Sequence, residues 1–205
     1  MAENEKYTGP VITISREFGA GGRSVAGGLS DMLGVKWYDH DFTKIIAKES
    51  GYSEEEVKKE GEELSSSERF LDKILNNSMA YTSSFDAIYE AQKEMILKLS
   101  SSGEPCIIVG RCANVILKNA GIPSFDVFLY ADKDVRIERA KTIKPEGIKD
   151  YKKYVEKRDA MRENYYKEYA GEDMNRALDY NICLDTGVIS YDTCIEILAN
   201  IVRKF

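Results

Sequence analysis

The chain has 205 residues, 43% of them hydrophobic and 31% charged, which fits one soluble globular domain with a sizeable core. Its formal charge of −6 argues against a general affinity for nucleic acid, and no apolar run is long enough to span a membrane. There is one histidine, His40, and none of the four cysteines stands in Cys-x-x-Cys spacing, so zinc has no ligand pattern to occupy. The polar start, Met1 to Lys6, lacks the apolar core of a signal peptide. Cys106 and Cys183, in apolar runs, read as small hydrophobes of a reducing cytoplasm.

Residues up to about Thr8 read as a frayed tail. Val11-Ile12-Thr13-Ile14 is apolar and β-branched, a buried strand. It breaks into Gly19, Gly21 and Gly22, and a helix follows to about Leu33, with Gly34 as its stop. Strand, glycine turn and helix together are the layout of a phosphate-binding loop. Glycines let backbone N–H groups converge on an anion, and the helix N-terminus adds partial positive charge. Against the pattern G-x-x-x-x-G-K-[ST], Gly22-Arg23-Ser24 fills the last three places and Glu17 replaces the first glycine. Gly19, Ala20, Gly21, Gly22, Arg23 and Ser24 are therefore the expected cradle. Arg23 offers a cation to β- and γ-phosphate oxygens, and Ser24 offers a hydroxyl to magnesium. The alternative is a turn that merely joins strand to helix.

Val35 to Tyr38 is a second short strand, ending at Asp39. That carboxylate either faces the ligand crevice, holding a substrate hydroxyl or a magnesium-bound water, or caps a helix beginning near Phe42. Residues from about 42 to 102 read as helical. Ser53 to Glu56 and Ser65 to Glu68 are capping-box signals, Phe70, Ile74 and Leu75 form one apolar face, and Ile88, Ala91, Met95 and Leu99 form another. This insertion either closes on its own core or forms a homodimer. Cys106 to Val109 is the clearest central strand; Arg111 follows it at the edge where the glycine loop lies, placed to grip a phosphate or carboxylate.

Phe125 to Tyr130 is a fourth strand, and Asp132 caps the next helix. A basic stretch follows, within a segment from about 141 to 168 that reads as a flap. Its lysines suit a solvated face, whereas Arg158 and Arg162, four apart and on one face, suit phosphate. Tyr165, Tyr166 and Tyr169 read as packing residues. Asn181 to Leu184 is a fifth strand, and Ser190 caps the last helix. Alternating strands and helices predict a three-layer α/β/α sandwich with a five-stranded parallel sheet in a single domain.

Five segments together resemble the cytidylate kinase-like proteins, a branch of the P-loop nucleoside monophosphate kinases. They are Ser15 to Arg23, Tyr38-Asp39, Gly110 to Ala113, Asp159 to Tyr166 and Cys183 to Thr186, in the expected order over nearly the whole chain. The resemblance implies a P-loop kinase-like core that binds ATP with Mg2+, a helical region closing on a small-molecule phosphoryl acceptor, and a lid whose arginines reach the transferring group. On that basis Gly19 to Ser24 cradle ATP phosphates, Arg111 holds the acceptor, and Arg158 and Arg162 are lid arginines. The chain departs from true cytidylate kinases in having Val109 before the Gly-Arg pair, Cys112 after it, and His40 to Lys44 after the second strand. Three functions remain open at this level: a nucleoside monophosphate kinase, a catalytically silent nucleotide sensor or scaffold, and a kinase of a non-nucleotide metabolite.

Overall fold

A computed structural model describes residues 7–39, 84–143 and 146–205. The capping boxes, the face of Phe70, Ile74 and Leu75, His40 and the helix expected near Phe42 lie outside the described residues.

The sheet is assembled from the runs that the apolar pattern picks out. Strands β1 (Val11–Arg16), β2 (Lys36–Tyr38), β3 (Cys106–Val109), β4 (Ser124–Tyr130) and β5 (Ile182–Asp185) form one sheet in the order β2-β3-β1-β4-β5. All pairings are parallel, with Ile12 beside Ile107 and Phe125 in the centre. β1 is buried along its whole length, as a strand covered on both faces must be.

Two layers of helix cover it. Helix α1 (Gly22–Leu33) and the C-terminal helix α6 (Tyr191–Val202) bury one face with Ile12, Ile14, Val127 and Leu129. Helices α2 (Ser84–Ser100) and α3 (Ala113–Asn119) bury the other with Val11, Cys106 and Ile108. The caps follow the sequence: Gly34 ends α1, and Ser190 accepts the N–H of Thr193 at the start of α6. On α2, Ile88 and Met95 are buried as the spacing predicts. Helices α4 (Lys133–Ile143) and α5 (Tyr151–Ala170), the second carrying most of the segment read as a flap, pack over the glycine turn through Phe18, Ala140 and Val155.

The N-terminal reading needs a correction. Tyr7 is not frayed: it is buried in the main core, its hydroxyl donates to Pro10 O at 2.8 Å, and burial pushes its phenol up to about 12. One aromatic ring against an apolar layer outweighs the usual entropy of a chain end. Cys183 is likewise only half-buried, unlike Cys106.

Candidate phosphate-binding site

The loop between β1 and α1 is held open from outside. Arg136 donates to Phe18 O at 3.1 Å, Arg139 to Gly19 O at 3.3 Å, and the Thr186 hydroxyl to Ala20 O at 2.9 Å. In a planar trans peptide the N–H points opposite to the carbonyl, so the amides of Gly19 and Gly21 are turned to the other side. The Ala20 amide closes a turn on Glu17 O. Gly21 is the N-cap of α1 with φ of 83°, and a Cβ there would lie 2.3 Å from the Tyr191 ring; only glycine meets both demands. The first amides of α1 have no intrahelical acceptor and add the positive end of the helix dipole. This is a cradle suited to an anion.

A network of ion pairs ties the flap to the loop. Arg136, on the inward face of α4 one turn from Ala140, is buried; its Nε donates to Ala131 O at 3.0 Å and lies 3.1 Å from Glu17 Oε2. Its NH1 reaches Asp159 Oδ2 of α5 at 2.5 Å, and Asp159 Oδ1 accepts the N–H of Phe18 at 2.8 Å. Burial pushes the Glu17 carboxyl above its ordinary range, outweighing the opposite pull of Arg136. Arg158 and Arg162 both place their guanidinium groups 5.4 Å from the centre of the Phe18 ring, within cation–π range. The two arginines thus share one face of α5, as their spacing predicts.

Beside this loop, at the C-terminal edge of β1 and β3, lies a small cleft with free space for little more than a water molecule. Arg16, Arg111 and Arg162 reach it from β1, the turn after β3 and α5; Tyr165, Tyr166 and Met174 close its far wall. Three successive left-handed residues, Gly110, Arg111 and Cys112, with φ of 77°, 65° and 53°, turn the chain there. Two non-glycine residues in that region store strain of about 1–3 kcal/mol each. Tyr166 accepts a hydrogen bond from Asn114 at 2.9 Å, and burial pushes its phenol up to about 12, so it stays neutral. Tyr165 donates to the fully buried Gln92 of α2 at 2.8 Å. Among the described residues that line it are three arginines and no carboxylate, a set that favours an anion.

The other expected residues are placed differently. Asp39 is buried and forms ion pairs with both Arg16, at 3.8 Å, and Arg23. Arg23 and Ser24 are exposed on the first turn of α1, and neither they nor Asp39 lines the cleft. The sequence reading assigned no task to Arg16, Arg136, Arg139, Asp159 or Thr186. Arg16, Asp159 and Thr186 lie inside segments that carry the family resemblance, and Arg136 interrupts an inward helical stripe; those were the available signals.

The "Cytidylate kinase-like family" model matches residues 11–188. A cytidylate kinase from Methanothrix thermoacetophila is 28% identical over 178 residues, covering 86% of this chain and 88% of that protein. Among solved structures, an uncharacterized protein from Eubacterium ventriosum ATCC 27560 aligns with a TM-score of 0.68 at 23% identity, over 96% of this chain and 99% of that one. Shikimate kinase from Acinetobacter baumannii, solved with shikimate, aligns with a TM-score of 0.54 at 14% identity, over 97% and 95%. These structural likenesses establish a fold shared with P-loop kinases. With the family model spanning most of the chain, the protein belongs to the cytidylate kinase-like family.

Proposed function

We propose that this protein is an ATP-dependent phosphotransferase that moves the γ-phosphoryl group to a nucleoside monophosphate or a similar small acceptor. The observation that carries this reading is the convergence of Arg16, Arg111 and Arg162, from three separate segments, on one cleft beside an outward-braced glycine loop. Phosphoryl transfer calls for positioning and for neutralising charge on phosphate oxygens, with little covalent work by the protein. The residues fit that task. The backbone from Gly19 to Ser24 cradles the nucleotide phosphates, Arg111 grips the acceptor's anionic group, and Arg158 and Arg162 approach from the flap. Bound MgATP supplies the transferable group. Among the described residues no three His, Cys, Asp or Glu side chains are grouped to hold a metal. Magnesium would be held by the nucleotide's phosphate oxygens, with the exposed Ser24 hydroxyl as a protein ligand. Among the described residues no helix is long and apolar enough to cross a membrane, and the reading places the reaction in the cytoplasm.

One observation favours a second reading. Among the described residues the cleft wall has no carboxylate to take a proton, which a hydroxyl acceptor needs and a phosphate acceptor does not, and Asp39 is committed to two arginines. A nucleotide sensor without turnover would look the same. Coupled ADP release with MgATP and a panel of nucleoside monophosphates separates the two. A kinase gives release with one acceptor, reduced about 100-fold or more in Arg111→Ala, the usual scale for removing one charge-stabilising donor. MgATP binding by calorimetry with no release from any nucleoside monophosphate supports the sensor or a non-nucleotide acceptor.

A further inference from the structure

Resting on the reading above, we infer that the phosphate-facing cation of this loop is Arg16, supplied by the strand, and that Gly22 is glycine to let Arg16 take the place of a loop lysine. Side chains alternate along β1, so Arg16 follows Ile12 and Ile14 onto the α1 face. There its stem crosses the first residue of α1. A Cβ on Gly22 would lie 2.9 Å from Arg16 Cγ, 3.1 Å from Cδ and 3.4 Å from Nε. The space in which a side chain at position 22 would start is filled by the Arg16 side chain.

The two arginines of the loop region differ in placement. Arg16 is buried and lines the cleft together with Arg111 and Arg162. The Arg23 side chain is 65% exposed, does not line the cleft, and is bound through Nε to Asp39. Asp39 lies between them, with one carboxylate oxygen 3.8 Å from Arg16 and the other on Arg23. It is a positioning residue that holds the Arg16 guanidinium against the loop. Arg162 of the flap also donates to Arg16 O at 3.4 Å, so flap and strand cation meet at this residue.

The test is a reciprocal swap read by calorimetry with MgATP. Arg16→Ala should weaken binding about 10- to 100-fold, the range for losing one or two charge-assisted hydrogen bonds, and by more than Arg23→Ala does. Gly22→Lys alone should also weaken binding, because its side chain meets Arg16. The double variant Arg16→Ala/Gly22→Lys should bind at least about tenfold more tightly than Arg16→Ala, since a helix-borne lysine then enters the vacated space. A merely structural role for Arg16 gives no such rescue. Binding by Arg16→Ala within twofold of the unmodified protein overturns the inference alone, as does a larger loss in Arg23→Ala. No MgATP binding by the unmodified protein overturns the phosphotransferase reading and this inference with it. If Arg16→Ala does not fold, the double variant decides: folded and binding within about tenfold of the unmodified protein supports the exchange, folded and not binding overturns it.

Discussion

Arg136 and Arg139 sit on one side of the glycine loop, and Arg16, Arg111 and Arg162 on the other. The residue type is the same, but the environments differ. The α4 pair is matched to fixed partners: carbonyls of Phe18, Gly19, Ala131 and Thr186, and carboxylates of Glu17 and Asp159. The second set meets at a cleft with no acid among its described lining residues, although Arg16 also pairs with Asp39 at 3.8 Å. A guanidinium can serve as a rigid multidentate brace or turn its charge toward a cleft, and its neighbours decide which. The braces hold the loop's shape, and on the proposed function the cleft set would carry its affinity. Substitutions on the two sides should therefore separate into losses of stability and losses of binding.

The largest expected stability loss is for Arg136→Ala. It removes a buried cation that bridges α4, α5 and the loop, leaving Glu17 and Asp159 without it. Removing one partner of a buried pair costs about 3–5 kcal/mol. The Glu17 and Asp159 side chains are 29% and 16% exposed, so water relieves part of that, and a loss near about 3 kcal/mol is expected. For a chain of this length that is a fall in Tm of roughly 6–12 °C. Urea unfolding showing a loss under about 1 kcal/mol would remove the brace from the comparison.

The division between brace and cleft was only half legible in the sequence. The sheet was readable because β1, β3 and β4 are apolar, β-branched or aromatic runs bounded by turn residues, and Gly34 and Ser190 act locally as caps. The cleft arginines were readable in part, because Arg111 follows a central strand and Arg158 and Arg162 are spaced for one helical face. The braces were not. Arg136 reaches across 118 residues to Phe18 O and Thr186 across 166 to Ala20 O, and no local pattern encodes such pairings. Arg16 was hidden for a different reason. A cation two residues past an apolar run usually reads as a solvated end, and its task becomes visible only once Gly22 is seen to leave room for it. The left-handed turn at Arg111 and Cys112 also had no signal, since neither residue favours that region.

A smaller effect sharpens the comparison. Arg139 donates to Gly19 O and, at 3.0 and 2.7 Å, to Thr186 Oγ1 and O, with its guanidinium 4.8 Å from the centre of the Tyr191 ring. Arg139→Lys keeps the charge and loses the fork. The expected loss is about 1 kcal/mol of unfolding free energy, from one or two hydrogen bonds made less well. Because Gly19 O is one of the braced carbonyls, MgATP affinity should fall as well. A variant with unchanged stability and unchanged affinity would mean that Thr186 alone suffices to hold this side of the loop.

The smallest effect is a slope, and its sign decides which force governs the brace. If the ion pair with Arg136 dominated, the folded protein would hold Glu17 ionised below its ordinary range, and stability would rise as pH rises through that window. Burial is instead the larger influence, and the carboxyl is raised from 4.5. Between the ordinary value and the raised one, the folded state then binds more protons than the unfolded state. The stability it contributes is present below that window and is lost as pH rises through it. Burial acts in the same direction on Asp126 and Glu163, so the slope of the unmodified protein alone does not isolate Glu17. Glu17→Gln does, because an amide oxygen still accepts from Ala131 N, now 3.2 Å from the carboxylate. Urea unfolding from about pH 4 to about pH 7 should show the unmodified protein losing stability relative to Glu17→Gln. The opposite trend would show that Arg136 attracts this carboxylate more strongly than burial opposes its charge, and would make Glu17 a partner in the ion-pair brace instead of a buried acid tolerated beside it.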